Sequence, residues 1–92
     1  MIHYIALIHK EPGSGYGVSF PDVPGVIAVA DTLDASLAEG AVALGFALED
    51  WEGAFPVPRS LDEIRADPDF AALCADAVVA AIAPLAAVNE AA

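Results

Sequence analysis

"YGVSFPDVPGVIAVADTLDASL", Tyr16 to Leu37, runs from one strand through a proline-flanked loop into a second strand and on into a helix. Tyr16, Val18 and Phe20 alternate with Gly17 and Ser19, so three large side chains share one face of a strand. The two small residues leave the other face open to close packing or to water. In the loop, Pro21 and Pro24 fix φ and withhold backbone donors, Asp22 is suited to hydrogen-bond locally in a turn, and Gly25 is free to take a positive φ. Val26 to Ala30 is a short β-branched run, hence a further strand. Asp31 and Thr32 are both good N-cap residues, and Asp34 places negative charge in the first turn, where the helix dipole favours it.

Downstream, Leu33, Leu37, Ala41, Leu44, Leu48 and Trp51 recur at spacings of three and four and predict an apolar stripe that covers the sheet. Gly40 and Gly45 each weaken a helix by about 1 kcal/mol relative to alanine, which points to close approach by the sheet or by another chain. Val42 and Phe46 lie one turn apart on the side away from the stripe, flanked by Glu39 and Glu49. An apolar pair there is a candidate contact with a partner or a second copy, against the plainer reading of a local packing contact.

Upstream, Ile2 to Lys10 is rich in β-branched and aromatic residues and is followed by "EPGSG", a dense turn signal, so the chain opens on a hairpin. Three glycines in "EPGSGYG" do not make a phosphate loop, because the Lys-Ser/Thr is missing and the segment joins two strands. After the long helix, Gly53, Pro56 and Pro58 break the pattern, and "SLDEI" has the spacing of a capping box between Ser60 and Glu63. The helix it starts stops before Pro68, and "DPDF" reads as a turn. "FAALCADAVVAAIAPLAAV" has the alanine content of a helix and, in "AVVAAIA", the alternation of a strand; the residues leave both open.

Ninety-two residues make one small domain that buries about two-thirds of its unfolded surface. At 58% hydrophobic it is too apolar to stay unfolded and is expected to form a homodimer or homotetramer. Fourteen acids against three Lys and Arg give a formal charge of −11, which disfavours direct nucleic-acid binding and suits either the steering of a basic partner or, on the plainer reading, solubility alone. Cys74 is the single cysteine and reads as an inert buried thiol of a cytoplasmic protein. No run is apolar and long enough to suggest a membrane span.

Catalysis finds little support. A two-metal nuclease site needs converging carboxylates, usually one in the first strand, and "IHYIALIHK" has none. His3 and His9 share a strand face but sit roughly 20 Å apart end to end, too far for one metal, and nothing local pairs Cys74 with a histidine. No catalytic, cofactor-binding or metal residues are therefore assigned. Asp22, Glu39, Val42, Phe46 and Glu49 are the candidate partner or oligomer interface.

The run Gly15 to Leu44 resembles the N-terminal domain of HicB-type antitoxins, which show a Gly-Tyr, a Phe-Pro-Asp-x-Pro-Gly loop and a helix opened by Thr-Leu. "PVPRSLDEI" and "DPDF" are similar to the segment that follows in that family, so the likeness covers most of residues 2–85. It implies an α+β, partial ribonuclease H-like fold in the order β-β-β-α-α-β, with a three-stranded antiparallel sheet, a long helix on one face, a short helix and a fourth strand. The corresponding bounds are strands over about 2–10, 16–20 and 26–31, helices over about 32–52 and 61–66, a strand over about 77–85 and a tail over 86–92. The resemblance also implies a type II antitoxin that masks a small basic mRNA-cleaving toxin, HicA. HicB antitoxins commonly continue into an operator-binding domain, and with this sequence ending at Ala92 no operator binding is expected of the chain alone. A stand-alone regulatory or small-ligand module sharing the fold is the alternative.

Overall fold

The computed structural model describes residues 2–85; the tail expected over 86–92 lies outside the described residues. Strand β1 is Tyr4–Lys10, β2 Tyr16–Ser19 and β3 Ile27–Ala30; then come helices α1 Leu33–Glu49, α2 Leu61–Ala66 and α3 Ala71–Ala75, and finally strand β4 Val78–Ile82. The sheet has the order β3-β2-β1-β4 with every neighbouring pair antiparallel, so β1 is central and β3 and β4 are edges.

β1 is apolar from Tyr4 to Ile8 because it is covered on both faces. Tyr4, Ala6 and Ile8 point into the larger core with Val18, Phe20, Leu44, Leu48 and Ile82, beneath α1. Leu7 points the other way, into a smaller core with Ile64 of α2 and Cys74 of α3. The molecule is thus layered as α1, sheet, and α2 with α3. Cys74 is buried in the second core, in line with a structural thiol.

Both anticipated caps form. The Ala35 amide donates to Thr32 Oγ1 at 3.1 Å, and Ser60 and Glu63 exchange two hydrogen bonds at 2.9 and 3.2 Å in a capping box. In the first hairpin, Gly13 takes φ 71° and the Ser14 amide donates to the Glu11 carbonyl at 3.0 Å.

Gly40 meets the sheet: a Cβ there would lie 3.2 Å from a Val18 methyl. At Gly45 the close neighbour is the backbone of Leu85, whose amide donates to the Ala41 carbonyl at 3.0 Å, so the segment after β4 lies across α1.

Three local expectations are corrected. The long helix ends at Glu49, and Trp51 lies beyond it, 38% exposed, its indole N–H donating to the Ala54 carbonyl at 3.1 Å. Trp51 therefore does not extend the buried stripe, whose anchors are Leu44 and Leu48. A third helix, α3, follows the "DPDF" turn. The final strand is shorter than expected: β4 spans five residues, paired with β1 from Tyr4↔Ile82 to Ile8↔Val78.

Candidate interaction surface

The Phe20 to Val26 loop is built from two successive turns, with the Val23 amide donating to Phe20 O at 3.1 Å and the Val26 amide to Val23 O at 3.3 Å. Gly25 has φ 93°, as the turn requires. Asp22, however, does not hydrogen-bond within the loop. Its Oδ1 accepts from Arg59 Nε at 2.6 Å and its Oδ2 from the Arg59 backbone amide at 2.7 Å, across 37 residues of sequence. Arg59 Nη1 donates in turn to Asp67 Oδ2 at 3.0 Å, Asp67 Oδ1 accepts the Asp69 amide at 2.9 Å, and the guanidinium lies 5.6 Å from the Phe70 ring centre. One cation thereby ties the proline loop to the approach to α2 and to the turn before α3.

The charges respond accordingly. Asp22 first and Asp67 second push the Arg59 pKa above its already high ordinary value. The amide of Asp69, reinforced by Arg59, holds the Asp67 carboxyl below the usual range, and the Ser60 amide does the same for Glu63. Burial raises the Tyr4 phenol, with the negative charge of Asp22 adding to the effect. That phenol donates to the Pro56 carbonyl at 2.7 Å, a second strap on the 51–60 segment.

Glu39, Val42, Phe46 and Glu49 lie on the outer side of α1. Glu39 and Glu49 are exposed, Val42 is half-buried and Phe46 is 54% exposed. Asp22 stands apart from this group: its side chain is only 6% exposed and both oxygens are engaged within the chain. Sequence reasoning missed Arg59, although a signal existed. It is the first base after Lys10 in a chain with three, and so the natural counterion for an acid taken out of water.

His9 Nε2 lies 3.0 Å from the Leu73 carbonyl, and among the described residues no group of three His, Cys, Asp or Glu is placed to hold a metal. No helix among them is long and apolar enough to cross a membrane.

At the sheet's edge, Ile27 and Val29 project from β3 on the face away from α1 and are about two-thirds exposed. α2 and α3 cover the β1 and β4 half of that face and leave the β2 and β3 half open. Glycine and serine at 17 and 19 form its floor.

The structure is an antiparallel sheet layered between one long helix and two short ones, with Lys10 and Arg59 tied into contacts within the chain. The crystal structure of the Burkholderia pseudomallei antitoxin HicB matches it with a TM-score of 0.73 at 29% identity, covering 90% of this chain and 63% of that one. The N-terminal domain of the same antitoxin matches with a TM-score of 0.71 at 28% identity, covering 89% of this chain and 96% of that one. The family model described as HicB_like antitoxin of bacterial toxin-antitoxin system matches residues 4–90. This chain belongs to that family, and it spans 63% of the length of the longer HicB chain. No curated protein matches the sequence.

Proposed function

We propose that this chain is the antitoxin of a type II toxin-antitoxin system and neutralises a small basic HicA-type mRNA-cleaving toxin by binding it, in the cytoplasm, through steric and electrostatic occlusion. The family match over residues 4–90 carries this reading. The charge supports the chemistry of the partner. Against fourteen acids stand three bases, of which Lys10 donates to the Glu11 and Ser14 carbonyls and Arg59 is held by Asp22 and Asp67. Such a surface accelerates encounter with a cationic protein and repels nucleic acid. The chain acts by binding and not by catalysis.

The toxin-facing residues in this reading are Glu39, Val42, Phe46 and Glu49 on α1, with Asp22 acting indirectly by fixing the loop and Arg59. Self-association into a homodimer or homotetramer falls to the β3 edge. Val26 to Ala30 carries no charge or proline to block pairing with another strand, so two acidic copies meet there without like charges opposed. The test is co-expression with the product of the adjacent small basic reading frame: a stable complex and restored growth are expected. Absence of such a gene favours a stand-alone regulatory module.

A further inference from the structure

The outer side of α1 continues into a hollow. Gly45, Leu48 and Glu49 of α1 form one wall of an open hollow of about 230 Å³, Phe55 of the following segment forms a second, and Pro84 beyond β4 completes the lining. By comparison, a cavity of about 150 Å³ takes a benzene ring. The lining is apolar apart from Glu49, and Phe55 is itself half exposed, so an apolar side chain lying in this open hollow would rest against apolar surface.

Its rim at the end of α1 is acidic. Glu49, Asp50 and Glu52 follow one another at the end of α1, all exposed, and between Lys10 and Arg59 the chain has no Lys, Arg or His. The Phe46 ring stands on the same helix face as Glu49, three residues earlier. The C-terminal end of a helix also carries partial negative charge, and no basic residue in the last turn of α1 offsets it. A second copy of this chain would bring its own excess of acids against this rim. A cationic partner would gain from every charge here.

We propose that this hollow is the anchor site for a basic protein partner, which inserts one apolar side chain between Gly45, Leu48, Phe55 and Pro84 and sets lysine or arginine side chains against Glu49, Asp50 and Glu52. The proposal rests on the antitoxin reading and gives the docking position on this chain. It combines a buried apolar anchor with a charged rim, the pattern that concentrates binding energy in a few central residues. The side chains of Glu49 and Phe55 make no ion pair or hydrogen bond within the described residues, so substituting either breaks no polar side-chain contact there.

The test uses the co-expressed product of the adjacent basic reading frame as the ligand and compares Glu49→Lys, Phe55→Asp and Asp62→Lys with the unaltered chain by titration calorimetry. Asp62 lies on α2 at the other layer of the molecule, and its reversal changes net charge as much as that of Glu49. Glu49→Lys and Phe55→Asp are expected to weaken binding at least tenfold and Asp62→Lys less than threefold, all with unchanged circular dichroism. Equal effects of the two charge reversals, or wild-type affinity for Phe55→Asp, overturn the site while leaving the antitoxin reading intact. Failure of the unaltered chain to bind overturns both. If sedimentation shows a homodimer that Phe55→Asp dissociates, the hollow belongs to a second copy and the proposal falls.

Discussion

Asp22 acts at long range although it sits in a turn. The two prolines and Gly25 suffice for the loop backbone, which leaves the carboxylate available to Arg59, and burial to 6% makes that pair costly to break. Asp22→Asn keeps the shape but loses the charge, and it should lower the melting temperature by roughly 5–10 °C, given charge-assisted bonds in a small domain. An unchanged melting curve would show that the prolines alone hold the loop. Acid stability gives a second check. The folded pKa of Glu63 lies below its ordinary 4.5 and that of Asp67 below 3.8, so as pH falls the unfolded chain binds protons first. Their contribution is complete above those ordinary values and is lost as pH falls through the folded ones. Urea midpoints measured from pH 6 to pH 2 should therefore fall on the acid side, and Glu63→Gln, which still fits a capping box, should flatten that fall.

Among the elements, glycines separate what alternation and capping specify from what tertiary contact decides. Alanine at Gly45 would gain about 1 kcal/mol in helix propensity. Its Cβ, however, runs into the backbone of Leu85, and overpacking against something that cannot rotate away costs about 1–3 kcal/mol. Gly45→Ala should thus destabilise the fold, whereas Gly40→Ala, facing a Val18 methyl at 3.2 Å, should come out near neutral; chemical denaturation of both decides. The first three strands, α1 and α2 are legible because period, turn residues and caps agree along Tyr4 to Ala66. β4 is not, since the alanines of Val78–Ile82 suit a helix and only pairing with β1 makes them a strand. α3 escapes because it spans five residues and Phe70 provides no side-chain cap. The Asp22 and Arg59 pair escapes for a different reason: contacts across 37 residues leave no local period. Of the candidate surface, the Val42 and Phe46 face was legible as an apolar break in a polar helix side. The hollow beside it was not, because it needs Phe55 and Pro84 brought to α1 by the fold.

For the molecule as a whole, the acidic surface and the bare β3 edge make separate claims. Val29→Lys places a charge on the exposed edge and should convert an oligomer to monomer in sedimentation equilibrium while leaving the circular dichroism unchanged. An unaltered oligomer would move self-association elsewhere. The isolated chain should give no specific operator gel shift, since a net charge of −11 opposes the counterion release on which DNA affinity depends. The most direct test of the antitoxin function is growth of a host expressing the adjacent basic toxin, with and without this chain. Restored growth together with a co-purifying complex, whose association slows as salt is raised, is the expected result. Continued growth arrest in cells that contain the folded chain, with no complex recovered, would contradict it.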